Sequence, residues 1–214
     1  MQNITIQRLK QPELSDILNP GERLLWTGTP EYGRKLLQAV GYERTFHICV
    51  FVGVLFIWLT IPFIDDTGSR TRATAFWTFG GVTIVFLVLS FSLAEHRQFL
   101  LRNLAYFVTD KRVIICRRGR NWHFSDGTYV VSVPHAETYP YAVHLTRPFP
   151  SLLVGTLFSV DQVQPFGSGL AHAGHSPLRN RTASPITLDY ISDAETVLDL
   201  IRDHAPRMNT SSRI

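Results

Sequence analysis

The sequence contains only two cysteines, Cys49 and Cys116, among 214 residues. Cys49 lies in a long apolar run and Cys116 in a segment with strand character, so their settings argue against a disulfide between them. No pair of cysteines has the spacing of a metal-binding motif. These absences exclude a small disulfide-stabilised domain and a cysteine-based zinc site.

Motifs that carry catalytic chemistry are also missing. The chain has no phosphate-binding glycine loop, no G-x-S-x-G motif and no H-E-x-x-H motif. His172 and His175 lie three residues apart in a glycine-rich segment, but they supply at most two ligands where a structural zinc site needs four. We therefore predict no catalytic residue, no metal site and no cofactor. An enzyme that uses this histidine-rich segment is the least favoured hypothesis.

Lysine is scarce as well. The 21 basic residues are 18 arginines and three lysines, and the formal net charge is +4. Apart from one cluster at residues 117–120, the basic residues are scattered along the chain. A nucleic-acid-binding domain concentrates its positive charge on one face or along one helix. We therefore predict no nucleic-acid partner.

Two long apolar runs, residues 46–64 and 73–94, contain no Asp, Glu, Lys or Arg. At about 1.5 Å of rise per residue, a helix of either length spans roughly the 30 Å hydrocarbon core of a bilayer. The competing interpretation is a pair of core helices in a soluble protein, but core helices are usually shorter and carry a polar face. The sequence therefore predicts a transmembrane helical hairpin at residues 46–94.

Basic residues flank the hairpin unevenly. Arg34, Lys35 and Arg44 precede the first run and Arg97 and Arg102 follow the second, whereas residues 65–72 contain only two arginines. Because cytoplasmic flanks carry the excess of Lys and Arg, this pattern predicts that both termini are cytoplasmic. The expected location is the inner (plasma) membrane, crossed twice.

Small residues within the two runs suggest where the helices pack. Cys49 and Gly53 form a small-xxx-small pair in the first run, and Gly80 and Gly81 offer a flat patch in the second. Small residues allow membrane helices to approach closely. These four residues are our candidates for helix–helix packing.

The segment before the hairpin, residues 1–45, is predicted to be cytoplasmic. A short strand is expected around Trp26, ended by Gly28 and Pro30. Trp26 has two interpretations, insertion into the lipid headgroup region or packing on the soluble domain. Residues 32–44 are predicted to form a basic juxtamembrane helix, because their apolar residues have helical spacing.

After the hairpin, residues 95–205 change to short β-rich segments separated by turn signals, which is typical of a small antiparallel barrel or sandwich. The predicted strands are residues 101–109, 112–117, 121–124, 128–133, 141–145, 155–163 and 186–191.

The end of the chain is expected to contain a long loop and one helix. Residues 164–185 are rich in Pro, Gly and Ser, which is typical of a flexible loop. Ser192 and Glu195 form an S-x-x-E capping box that begins a helix, and Pro206 follows its predicted end at about Ala205. Residues 206–214 are predicted to be a flexible tail.

Two short motifs flank the apolar runs. One is Gly-Glu-x-x-x-Trp-x-Gly-x-Pro and the other is Tyr-x-x-Thr-x-x-Arg-Val-Ile. With two apolar helices between them, they resemble the bacterial membrane proteins that carry a pleckstrin-homology-like (PH-like) domain. The resemblance covers residues 19–204, with residues 155–157 similar to a late strand and residues 192–202 similar to the closing helix. The motif residues are Gly21, Glu22, Trp26, Gly28, Pro30, Tyr106, Thr109, Arg112, Val113 and Ile114.

The resemblance implies an architecture and no particular reaction. It implies a two-helix transmembrane hairpin followed by a small antiparallel PH-like β-barrel or sandwich, closed by a C-terminal helix. In the family, residues at the positions of Thr109 and Arg112 serve the hairpin turn and the barrel. The insertion at residues 164–185 departs from the family pattern.

Basic residues with a neighbouring tryptophan cluster around two predicted turns. Near a bilayer each basic residue gains about 1 kcal/mol from anionic lipid, so these residues are candidates for contact with lipid headgroups. The alternative is a solvated hairpin that only adds positive charge. The candidates are Lys111, Arg112, Arg117, Arg118, Arg120 and Trp122.

The favoured hypothesis is a membrane-anchored, non-enzymatic interaction module that binds a protein partner or supports assembly of a membrane complex. Its expected partners are membrane lipids and either another protein or a second copy of the chain. The alternative is that the basic turn senses anionic lipid headgroups.

Overall fold

The computed structural model describes residues 4–9, 14–64, 69–118, 128–157 and 184–205. They form eight strands and four α-helices, with one 3₁₀ turn at Ile61–Phe63. In chain order these are β1 (Thr5–Leu9), α1 (Leu14–Ile17), β2 (Leu24–Gly28), α2 (Gly41–Leu59), α3 (Ser69–Arg102), β3 (Leu104–Thr109), β4 (Arg112–Arg118), β5 (Thr128–Pro134), β6 (Ala142–His144), β7 (Ser151–Leu157), β8 (Ser184–Leu188) and α4 (Ala194–His204).

The strands form two antiparallel sheets. The larger sheet has the order β1-β5-β4-β3-β2, and the smaller one has the order β6-β7-β8. Strand β2 pairs with β3, with Leu24 opposite Thr109 and Gly28 opposite Tyr106. The whole helical hairpin (α2 and α3) is therefore inserted between two neighbouring strands of one sheet.

The two sheets and α4 share one hydrophobic core. It contains Tyr106 and Val131 from the larger sheet, Leu152 and Ile186 from the smaller sheet, and Ile201 from α4, all almost fully buried. Complete burial of one such aliphatic side chain is worth about 1.5–3 kcal/mol. We call these two sheets together with α4 the sheet unit.

The antiparallel sheets and the C-terminal helix confirm the coarse prediction, but the described strands do not close into a barrel. Closure requires hydrogen bonds all the way around the strand order, and both sheets here are open. They face each other through side chains, with the apolar stripe of α4 buried in the common core.

Both apolar runs are helical. The structure has two helices that are long and apolar enough to cross a membrane, at Gly41–Phe63 and Thr71–Arg102, and their most apolar stretches are not buried by the rest of the described chain. Phe51 and Trp77, for example, are 70% and 78% exposed. At about 1.5 Å per residue, α3 is roughly 50 Å long, so it extends past its apolar run into the sheet unit.

The helices contact each other through polar side chains and rings. The indole of Trp58 donates to Thr83 Oγ1 at 3.0 Å, and His47 Nε2 lies 3.3 Å from the Ser90 carbonyl oxygen. The rings of Trp58 and Phe76 meet edge to face with centroids 5.4 Å apart.

Among the described residues, a Cβ placed on Gly53, Gly80 or Gly81 would meet no atom within 4 Å beyond its own stretch of helix, and Cys49 is exposed. Helix packing through these four residues stays a prediction.

Three local predictions differ from the structure. Residues 29–40 contain no helix, so the predicted juxtamembrane helix is absent, and α2 begins at Gly41. Helix α3 continues to Arg102, so the strand predicted from residue 101 begins at Leu104. The late strand begins at Ser151 instead of residue 155.

The predicted capping box is also wrong. Asp193 is the N-cap residue of α4 and makes no side-chain capping bond. The Ser192 hydroxyl donates instead to Glu31 Oε1 at 2.6 Å. The residues predicted as a strand at 121–124, most of the loop at 164–185 and the tail at 206–214 lie outside the described residues.

Candidate functional site

Glu22 connects the two motifs that flank the hairpin. One carboxylate oxygen accepts from Thr109 Oγ1 at 2.7 Å and from Arg112 Nε at 2.9 Å, and the other accepts from Arg112 Nη2 at 2.9 Å and the Asn19 N–H at 2.8 Å. The Glu22 side chain is fully buried. Two segments more than 80 residues apart in sequence therefore share one polar network.

The electrostatics of this network favour a permanently charged pair. Burial alone would raise the pKa of Glu22, but the hydrogen bonds from Arg112, Thr109 and the Asn19 N–H outweigh it and lower the pKa to about 2. Arg112 also donates to Ser132 Oγ and to the Ile17 carbonyl oxygen, both at 2.9 Å. Bidentate, charge-assisted hydrogen bonds are strong and also fix the relative orientation of the two side chains.

A second buried pair lies where the hairpin meets the sheet unit. Arg97 of α3 donates from Nε to Glu43 Oε2 of α2 at 2.7 Å, and both side chains have no exposed surface. The rest of the guanidinium donates to the carbonyl oxygens of Gly33, Lys35 (2.8 Å) and Leu36 (2.6 Å). We call this arrangement the junction, defined by Arg97, Glu43 and the three carbonyl groups.

The segment held by the junction continues into the sheet unit. The Glu31 N–H donates to the Tyr190 carbonyl oxygen at 2.9 Å, and the Trp26 indole donates to Asp193 Oδ2 at 2.6 Å. Tyr190 has a positive φ of 55°, and its ring packs edge to face on Tyr32 at 6.1 Å. Of the two interpretations of Trp26, the structure therefore supports packing on the sheet unit.

The candidate lipid-contact residues occupy different environments. Lys111 is exposed, whereas Arg112 is half-buried and paired with Glu22. Arg117 is only 8% exposed. Arg118 belongs to β4, but its side chain, like all of Arg120 and Trp122, lies outside the described residues. Lipid contact stays a prediction, and Arg112 has a structural role in addition.

Arg117 is unusual among the buried cations. Its Nε and Nη1 have no hydrogen-bond partner among the described residues, and its Cζ lies 5.6 Å from the centroid of the Tyr129 ring. Burial lowers its pKa to about 10, with a small opposing effect from Tyr129. The side chain therefore keeps its positive charge at neutral pH.

Other buried titratable groups serve the fold. The Tyr106 hydroxyl accepts from the Asp189 N–H at 2.9 Å, and burial raises the pKa of Tyr106 well above its ordinary value. His135 Nε2 donates to the Thr109 carbonyl oxygen at 2.8 Å, and burial lowers the pKa of His135. Burial also raises the pKa of the Cys116 thiol to about 11, which is the environment of an unreactive cysteine.

Within the described ranges there is no group of three or more His, Cys, Asp or Glu side chains that would hold a metal ion. His172 and His175, the pair with metal-like spacing, lie outside those ranges. The prediction about a metal site is therefore not tested at these two residues.

Sequence reasoning missed the pairing of Glu43 with Arg97. A signal was present: Glu43 lies three residues before the first apolar run and Arg97 three residues after the second. In an antiparallel hairpin these two positions lie side by side at the end away from the connecting loop. Their opposite charges therefore indicated an ion pair.

Comparison of the chain with protein-family models, curated proteins and solved structures finds no match.

Proposed function

We propose that this protein is a membrane-anchored, non-enzymatic interaction module in which a PH-like sheet unit binds a protein partner beside the inner membrane. The observation that carries the proposal is the insertion of an apolar hairpin between paired strands β2 and β3 of one sheet. A hairpin inserted in this way holds the sheet unit at a fixed distance from the bilayer.

The exposed faces of the hairpin support membrane insertion. Phe51, Phe56, Trp77 and Leu87 are each more than half exposed, although apolar surfaces of this size are rarely left in water. The exposed residues Arg34, Lys35, Arg44 and Arg102 flank the sheet-unit end, which favours a cytoplasmic location for that end even without the buried Arg97.

The buried polar groups support a scaffold role. Glu22 and Arg112 join the two flanking motifs, and the junction joins hairpin and sheet unit, so these charges are used in structural contacts. The network also gives the flanking motifs of the PH-like resemblance a common purpose, because Glu22 comes from one motif and Thr109 and Arg112 from the other.

Site-specific photocrosslinking in the native membrane tests the proposal. A photoreactive amino acid is placed at Leu145, an apolar residue of the sheet unit that is 90% exposed, and in separate variants at Glu137 and Glu195. We expect at least one position to capture a reproducible protein, which mass spectrometry identifies as another protein or a second copy of this chain.

The matched control is the same amino acid at Phe51, which is exposed on the hairpin. We expect it to yield lipid adducts and not the same protein partner. The proposal is refuted when all three sheet-unit positions are incorporated and crosslink-competent yet capture no reproducible protein.

A further inference from the structure

The guanidinium of Arg117 is a buried cation whose hydrogen-bonding capacity is largely unused. Two of its three nitrogens, Nε and Nη1, carry three N–H groups and have no acceptor among the described residues. Its Cζ lies 5.6 Å from the centroid of the Tyr129 ring, close enough for a cation–π interaction. The residue keeps only 8% of its surface exposed, so water satisfies little of this deficit.

Comparison with the other two inner arginines shows how unusual this is. Arg97 donates to one carboxylate and three carbonyl oxygens. Arg112 donates to both oxygens of Glu22, to a hydroxyl and to a carbonyl oxygen. Among the described residues, the guanidinium groups of Arg97 and Arg112 are therefore surrounded by acceptors, whereas Nε and Nη1 of Arg117 have none.

An uncompensated buried charge costs several kcal/mol, so it needs a counter-ion. Deprotonation does not relieve this cost at neutral pH, because the pKa of Arg117 remains near 10. An anion that is not part of the described chain would pair the charge.

The position of Arg117 indicates the source of such an anion. Arg117 lies opposite Leu104 of β3 and Tyr129 of β5, and Leu104 follows the end of α3 by two residues. From Ala94, the end of the apolar run, to Arg102 the helix rises about 12 Å. Arg117 is therefore at the hairpin end of the larger sheet, on the side toward the phosphate-rich headgroup layer in the proposed arrangement.

We propose that Arg117 is the cationic centre of a binding site for a phosphate oxyanion at the hairpin end of the sheet, with the Tyr129 ring as one wall. Planar guanidinium donors match phosphate oxygens well. The phosphate belongs either to an anionic lipid headgroup or to a soluble phosphate, since both present the same oxygens. The lipid source rests on the membrane anchoring proposed above, whereas the soluble source does not.

The first test measures thermal unfolding and binding with the full-length protein in a neutral detergent. One arm adds inorganic phosphate, compared with sodium chloride at equal ionic strength. The other arm adds phosphatidylglycerol to the micelles, compared with phosphatidylcholine, and counts retained lipids by native mass spectrometry. A ligand that binds only the folded state raises the melting temperature.

The informative variants are Arg117→Met and the control Arg202→Gln, which removes the same charge at an exposed position on α4. We expect wild type and R202Q to respond within twofold of each other to phosphate or to phosphatidylglycerol, and R117M to lose at least tenfold in affinity. A response to phosphate alone assigns a soluble ligand, and a response to phosphatidylglycerol alone assigns a lipid.

Stability without ligand gives an independent readout. Because R117M replaces an unpaired buried charge by an apolar chain of similar length, its melting temperature in ligand-free buffer should equal or exceed that of wild type. The proposal is overturned when wild type prefers neither phosphate nor phosphatidylglycerol over its control, or when R117M binds as well as wild type. Failure of R117M to fold would also contradict it, since an unpaired cation does not stabilise a core.

Discussion

Arg97 and Glu43 form an ion pair of 2.7 Å between two helices, with neither side chain exposed to solvent. The pair lies at the base of the hairpin, and the same guanidinium holds the carbonyl oxygens of residues 33, 35 and 36. One arginine thus fixes the start of α2, the end of α3 and the segment that leads from β2 into the hairpin. The junction therefore connects the hairpin to the sheet unit in a fixed arrangement.

Breaking the junction should destabilise the protein strongly. Removal of one partner from a buried pair leaves an uncompensated charge and costs about 3–5 kcal/mol. We expect Arg97→Met and Glu43→Leu each to lower the free energy of unfolding by that amount in detergent, as measured by chemical denaturation. The double variant should recover much of the loss, because it leaves no isolated charge. Additive losses in the double variant would show that the two side chains are not coupled.

Glu22 should make stability depend on acidic pH. Its pKa is about 2 in the folded chain against an ordinary value of 4.5, so the unfolded state takes up protons first. The contribution of Glu22 is complete above pH 4.5 and is lost as pH falls toward 2. Glu22→Gln should lower the free energy of unfolding at pH 7 by about 1.5–3 kcal/mol. It should also weaken the dependence of that free energy on pH between 4.5 and 2. If the free energy of unfolding of this variant depends on pH below 4.5 as it does in wild type, Glu22 is not the group responsible.

His135 should make the stability of the protein depend on pH at higher values than Glu22 does. Burial first of all lowers its pKa below the ordinary 6.5, so protonation favours the unfolded state. Its contribution is complete above pH 6.5 and declines as pH falls below that value. His135→Gln can still donate to the Thr109 carbonyl group. This variant should remove the pH dependence of the free energy of unfolding just below pH 6.5 and leave the loss of stability caused by Glu22 below pH 4.5 unchanged. NMR titration of the imidazole checks the direction of the shift, and a pKa above 6.5 would be inconsistent with it.

Two glycines provide a matched test of packing. A Cβ on Gly28 would overlap the Trp26 ring, whereas a Cβ on Gly53 would meet open space. We expect Gly28→Ala to cost about 1–3 kcal/mol through overpacking and Gly53→Ala to leave the melting temperature in detergent nearly unchanged. If Gly53→Ala changes the melting temperature strongly and the change disappears when the protein is diluted, Gly53 instead lies at a contact between copies of the chain.

The features that sequence alone predicted depend on local composition. Exclusion of charge from residues 46–64 and 73–94 is a property of each segment by itself, and both are helical here. The strand-favouring residues of β4 and β5, together with the turn signals next to them, likewise indicated the positions of these strands to within one residue.

The features that sequence missed depend on distant partners. Residues 32–44 have helical apolar spacing, yet Gly33 has a φ of 83° and the carbonyl groups of residues 33, 35 and 36 bond to Arg97 from α3. The left-handed backbone at Gly33 interrupts helical geometry, and Arg97 binds the carbonyl groups of the non-helical segment. Ser192 likewise bonds to Glu31 instead of capping α4. Neither partner is visible in a local window of sequence.

In the proposed arrangement the hairpin crosses the membrane, and the segments before and after it form one unit on one side. This arrangement is tested by labelling single cysteines with a membrane-impermeant maleimide in proteoliposomes of known orientation, using Cys49→Ala and Cys116→Ala as the background. The exposed positions are Arg23→Cys before the hairpin, Asp203→Cys after it and Arg72→Cys near its tip. We expect positions 23 and 203 to be labelled from one side of the membrane and position 72 only from the other. Labelling of all three positions from the same side would contradict this arrangement.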